Sequence, residues 1–233
     1  MAITLYWGSG SPFSWRVLLA LEHKRLPYES QQLHFDKQEH QSPQMLKMNP
    51  RGRVPVLKDN DYVVFESVAI LYYLDQKYPQ VPIFGLTPEE SGVIMRVICE
   101  FQAYAEPYVQ KIVEAVFSDQ VSDDIEELTD AMHIVGREAR TIEGRLSKEQ
   151  WIVGENYTAL DMVIFPWIQL LRRAMNRPSA AALSARFLPM ERNYPALARW
   201  VSRIEALPGY MRTYPPHWRD VPANLSTEEG KTT

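Results

Sequence analysis

Residues 53–74 read RVPVLKDNDYVVFESVAILYYL. Val54, Val56 and Leu57 suggest one short strand and Tyr62–Phe65 a second, and the Asp59-Asn60-Asp61 turn between them predicts an antiparallel hairpin. Ser67 then reads as the cap of a helix along which Val68, Ile70, Leu71 and Leu74 recur at helical spacing. The strand-to-helix junction has a chemical use. Open N–H groups and the positive dipole end of a helix attract a carboxylate, and Glu66 beside them suits an ammonium, so the pair fits an amino-acid zwitterion. Pro55 lacks a ladder donor and marks a sheet edge, where an extended peptide can pair with Val54.

Upstream, Ile3, Leu5 and Trp7 alternate with polar-edged neighbours as in a strand, Gly8-Ser9-Gly10 breaks it, and Trp15, Leu18, Leu19 and Leu21 follow at helical spacing. Pro12 suits a first helical turn, which places Ser11 at or beside the N-cap. Tyr28–Leu33 reads as a second strand. Strand, helix, strand, then hairpin and helix is the element order of a thioredoxin-like domain. Ser11-Pro12-Phe13-Ser14 occupies the place where redox proteins of that fold carry Cys-Pro-aromatic-Cys, so dithiol chemistry is excluded here. A serine hydroxyl at a helix N-terminus can instead donate to a bound thiolate and lower a thiol pKa from its reference of about 8.5.

Val54-Pro55, Glu66-Ser67 and the helix after them, within NPRGRVPVLKDNDYVVFESVAILYYLDQKYP, resemble the glutathione-binding half of cytosolic glutathione transferases. The resemblance implies a cis Pro55, a backbone pairing of Val54 with the cysteinyl unit of glutathione, and a γ-glutamyl group held by Glu66 and Ser67. Ser-Pro-Phe before a Trp-Arg-Val helix is similar to the serine-using tau and zeta classes, which makes Ser11 the expected catalytic residue, ahead of Ser14, Ser9 and Tyr6. His40-Gln41-Ser42-Pro43 resembles the phi-class segment that reaches the glycine end. His40 and Arg53 are therefore the two candidates for that carboxylate, Arg53 as a two-pronged donor.

Beyond Tyr78-Pro79 the pattern turns helical. The expected organisation is an α/β thioredoxin-like domain over 1–79, a linker over 80–88, an all-α helical bundle over 89–218 and a polar, disordered tail over 219–233. Ile94, Val97, Ile98, Phe101, Ala105, Tyr108 and Ile112 mark one long apolar face that Pro107 should kink or interrupt. Ile125 to Leu146 is a clear amphipathic helix, with Ser122 and two aspartates expected to cap it. Thr158-Ala-Leu-Asp161 is a capping box before an all-apolar run, which places the next helix at the bundle centre. The aromatics Tyr210, Tyr214 and Trp218 either fold back over the site or pack on the bundle.

A 233-residue chain with 45% hydrophobic residues can bury a substantial core, and its formal charge of −4 without a dense basic tract argues against nucleic acid as partner. The single Cys99 excludes an intrachain disulfide, and the five histidines lack zinc-ligand spacing, so no metal is expected. The N-terminus has no basic start followed by an apolar run, and no segment reaches the roughly 20 apolar residues of a membrane span. A cytoplasmic, membrane-free protein is expected. The functional expectation is a glutathione transferase, with glutathione as cosubstrate and a small hydrophobic electrophile held by Phe13, Phe35, Tyr104 and Tyr108. The alternatives are a zeta-like glutathione-dependent cis-trans isomerase and a non-catalytic glutathione-binding or regulatory protein. The family resemblance also implies a homodimer.

Overall fold

The computed structural model describes residues 2–219. The expected polar tail beyond Arg219 lies outside them. Strand β1 (Ile3–Gly8), helix α1 (Pro12–His23) and strand β2 (Tyr28–Leu33) are followed by a 3₁₀ turn over Glu39–Gln41 and helix α2 (Pro43–Met48). Strands β3 (Val56–Asp59) and β4 (Tyr62–Phe65) then lead into helix α3 (Ser67–Lys77). The four strands form one mixed sheet in the order β2-β1-β3-β4, with β1 parallel to β2 and antiparallel to β3. This is a thioredoxin-like layer.

The hairpin forms as expected, with Val56 opposite Phe65 and Asp59 opposite Tyr62. β3 lies inside the sheet, however, and is no edge strand. Its ladder with β1 ends at Tyr6–Val56, so Val54 sits two positions outside it, and the Val54–Pro55 bond is cis. A backbone segment just past the last rung keeps its polar groups free of the ladder.

The second half is helical: α4 (Pro88–Tyr104), α5 (Glu106–Phe117), α6 (Ile125–Leu146), α7 (Ala159–Met175), the short α8 (Ala181–Ser184) and α9 (Met190–Asn193), α10 (Pro195–Glu205) and α11 (Tyr210–Thr213). Pro107 interrupts the long apolar face outright, because it sits in the first turn of α5, where a missing N–H costs nothing. Ser122 does not cap α6; Asp124 stands at its N-cap without a side-chain bond. The Thr158–Asp161 capping box is present, and Asp161 additionally accepts from Trp200 Nε1 at 2.8 Å and Ile152 N at 3.3 Å.

Helix α7 is buried on nearly every face, and α1 docks on it. Trp15 of α1 meets Phe165 of α7 edge to face at 5.5 Å. The C-terminal aromatics complete this contact. Tyr210, Tyr214 and Trp218 all pack around Trp15, with centroids 5.4 to 6.5 Å away, and the Trp15 indole donates to Thr213 Oγ1 at 2.9 Å. They join α1 to the bundle and do not merely finish it.

Candidate active site

The three serines of the first loop have different occupations. Ser14 is fully buried and its Oγ accepts from Gly8 N at 3.3 Å, which holds the turn from β1 into α1. Ser9 Oγ lies 2.6 Å from His217 Nδ1. Ser11 is the N-cap of α1: its Oγ accepts from Ser14 N at 3.2 Å, and among the described residues nothing takes its own hydroxyl proton. A half-exposed donor is thus left at the positive end of a helix. Tyr6 lies within β1.

At α3 the cap is Glu66 and not Ser67, which is the first helical residue. Glu66 has φ +69 and ψ 115, a conformation that non-glycine residues rarely adopt, and its side chain points no oxygen at the helix. Ser11, Ser42 and Thr87 cap α1, α2 and α4 with side-chain oxygens, but α3 has no such cap. Its first-turn N–H groups, ahead of the Ile70 N to Glu66 O bond of 2.9 Å, are open to an anion.

A continuous run of contacts joins these two helix ends. Phe35, 44% exposed, lies so close over Gly8 that a Cβ there would meet its ring at 2.2 Å. The Phe35 ring meets His40 edge-on at 5.3 Å. The His40 carbonyl in turn packs against Gly52, whose φ of +57 turns the chain into Arg53 and Val54. His40 Nδ1 is buried and has no partner among the described residues. Arg53 is exposed, Asn49 Nδ2 donates to its carbonyl at 2.8 Å, and among the described residues its guanidinium has no carboxylate within 4 Å. Arg51 Nε stands 3.9 Å from Glu66 Oε1, both side chains open to solvent.

The helical half is tied to this region through α1. Arg16, in α1, is wholly buried; it pairs with Glu106 and donates to Ser67 Oγ and to Val163 O, each at 3.2 Å. Burial pulls its pKa below the ordinary value, and Glu106 opposes that fall. The pairing sets the α4–α5 junction against Ser67, and the exposed Tyr104 and Tyr108 flank Glu106 there. Phe13 is half-buried, edge-on to Trp167 at 5.7 Å and 4.9 Å under the Arg16 guanidinium. It is committed to the seam between the two halves more than to an open wall. A cavity of about 380 Å³ opens elsewhere, where the linker meets the entry to α7, and none of the candidate residues lines it.

The family model described as "Glutathione S-transferase, N-terminal domain" matches residues 1–76, and the one described as "Glutathione S-transferase, C-terminal domain" matches residues 99–208. The chain belongs to the glutathione S-transferase family. This transferase is 28% identical over 229 residues to Glutathione S-transferase A of Pleuronectes platessa, with 94% of each chain covered. It is also 28% identical over 231 residues to a maleylacetoacetate isomerase of Pseudomonas aeruginosa, covering 96% of this chain and all of that one. Among solved structures, a glutathione S-transferase from the Antarctic clam Laternula elliptica superposes with a TM-score of 0.81 at 28% identity, over 96% of both chains.

Two residues beside the candidate site, Arg16 and His217, are not singled out by a reading along the chain. Arg16 is the one charge in PFSWRVLLAL, and a lone arginine within an apolar helical run is a signal for a buried, paired charge. His217 carries no such signal. Among the described residues no group of three potential ligands could hold a metal ion, and no helix is long and apolar enough to cross a membrane.

Proposed function

We propose that this transferase joins the thiolate of glutathione to a small hydrophobic electrophile, with Ser11 as the residue that stabilises the thiolate. The observation that carries this reading is the division of labour among the loop serines. Ser9 is engaged by His217 and Ser14 is fully buried, whereas Ser11 keeps a free and partly exposed donor at the start of α1. A hydroxyl there favours the charged form of a bound thiol by hydrogen bonding, and the helix dipole adds to it.

The remaining residues divide the tripeptide. Open first-turn N–H groups of α3, with the Ser67 hydroxyl, suit the γ-glutamyl carboxylate, and Glu66 suits its ammonium. The Val54 backbone, outside the ladder, pairs with the cysteinyl unit. His40, with its orphaned Nδ1, and the unpaired Arg53 take the glycine carboxylate. Phe35, Tyr104 and Tyr108 offer exposed aromatic surface to the electrophile. An already electrophilic substrate then needs only a nearby, deprotonated sulfur. The protein works as a homodimer in the cytoplasm on this reading.

The test is the ultraviolet difference spectrum of bound glutathione against pH, in the wild type and in Ser11→Ala. A bound thiol pKa well below its free value in the wild type, rising in the variant, is the expected result. Binding with no depressed pKa would remove Ser11 from its role. A second reading has one observation in its favour, the full-length match to a protein named as an isomerase. In that case the thiolate adds to a double bond and leaves again, so glutathione is not consumed. Following glutathione concentration over many turnovers separates the two.

A further inference from the structure

The turn before Ser11 is held from the far end of the chain. Ser9 Oγ and His217 Nδ1 meet at 2.6 Å across 208 residues of sequence. Gly10, at φ +82, would place a Cβ 2.9 Å from His217 Cε1 and 3.3 Å from Nε2, so the imidazole rests directly on the backbone beside Ser11. The turn is closed beneath it by Ser11 N donating to Gly8 O at 3.2 Å.

The segment that carries His217 is anchored independently of the ring. Trp218 is buried, edge-on to Trp15 at 5.4 Å, and the Arg173 guanidinium lies 4.9 Å over its face. His217 itself stays exposed, so it is not a core filler. Partial desolvation, and then Arg173, lower its pKa, which favours the neutral imidazole. A serine hydroxyl both donates and accepts, so it pairs with Nδ1 in either neutral tautomer.

We propose that His217 is a positioning residue for Ser11: it clamps the Ser9-Gly10 turn and thereby fixes where the Ser11 hydroxyl points. The inference rests on the transferase reading given above. A hydrogen bond to sulfur is directional, and a loop free to shift by a fraction of an ångström would deliver it less often.

The experiment compares full-length wild type, His217→Ala and His217→Asn by three readouts. These are hydrogen exchange at the Gly8–Ser14 amides without ligand, the pKa of bound glutathione by difference spectrum, and kcat and KM with a chromogenic aryl halide. His217→Ala should exchange faster there, raise the bound thiol pKa and lower kcat by about three- to tenfold, as for loss of one exposed hydrogen bond, with KM for glutathione little changed. His217→Asn, whose amide reoccupies the place of Nδ1, should restore all three. Exchange and thiol pKa equal to wild type in His217→Ala would overturn the clamp. A fall in kcat with both of those unchanged would overturn it too, since the imidazole would then act on the electrophile directly. If wild type binds no glutathione, the transferase reading fails. The exchange data then decide the clamp alone, faster exchange supporting it and unchanged exchange refuting it.

Discussion

Arg16 and Glu106 form a buried ion pair that joins the first helix of the sheet domain to the first turn of α5. The arginine has no solvent contact, and its other donors end on Ser67 Oγ and Val163 O. One side chain therefore ties together the site, the α4–α5 junction and the central helix.

Removing that charge leaves Glu106 and Ser67 unpaired in the interior. Arg16→Met should cost about 3–5 kcal/mol, as for a buried pair stripped of one partner. Adding Glu106→Leu should recover a large part of the loss, because an apolar pair of similar volume has no charge to desolvate. Urea denaturation of the two variants checks both signs.

Ser11 and Ser14 should fail in different ways. Ser11→Ala loses one capping bond, about 1 kcal/mol of stability, and raises the pKa of bound glutathione. Ser14→Ala leaves the buried Gly8 N–H without a partner and should cost about 1–3 kcal/mol, with the smaller effect on the thiol. Thermal melts paired with the difference spectrum separate the two. Equal thiol shifts in both variants would contradict the assignment.

Glu66 holds a positive φ that glycine adopts freely. Glu66→Gly should therefore stabilise the free protein by roughly 0.5–1 kcal/mol while weakening glutathione binding through the lost carboxylate. A higher melting temperature together with a higher Kd for glutathione is the expected signature. Strain retained at one residue for the sake of a ligand would be the physical meaning of that trade.

His23 should contribute acid sensitivity to the fold. Its pKa is pushed down to about 4 from 6.5, first by desolvation and then by Lys24 and Arg25, and its ring packs on Tyr157 at 5.0 Å. The unfolded chain takes up this proton near 6.5 and the folded protein does so only near 4. Its contribution is thus complete above about pH 6.5 and is lost as pH falls toward 4. After allowance for its partial solvent contact, the loss should be about 2 kcal/mol. His23→Phe should flatten the stability profile across that window, which denaturation at a series of pH values reads directly.

What was legible along the chain was what local chemistry decides. The hairpin, the Ser11 cap and the Thr158–Asp161 box involve residues within a few positions of one another, and each forms as expected. The cap of α3 is Glu66 and not Ser67, because the chain enters the helix through a glutamate at positive φ, a conformation against that residue's own preference that a pattern reading does not announce. Pro55 was expected to mark an edge strand, yet β1 and β4 cover β3 on both sides, and Val54 is free only because it lies beyond the ladder, a matter of strand order that pattern does not encode. Arg16 meets its partners at separations of 51, 90 and 147 residues, and Ser9 meets His217 at 208. Contacts at such range belong to the packed molecule.

The docking of α1 on α7 also sets an order of events during synthesis. Trp15 and Arg16 leave the ribosome early, but Glu106, Val163, Phe165 and Thr213 follow at roughly 5–20 residues per second. Until the last of them emerges, the nascent sheet domain carries an unpaired arginine and an unroofed indole on the helix it must bury. The amino-terminal third should therefore reach its final form only when the carboxyl-terminal third has been made, and a prematurely released chain should be exposed to chaperones and proteases.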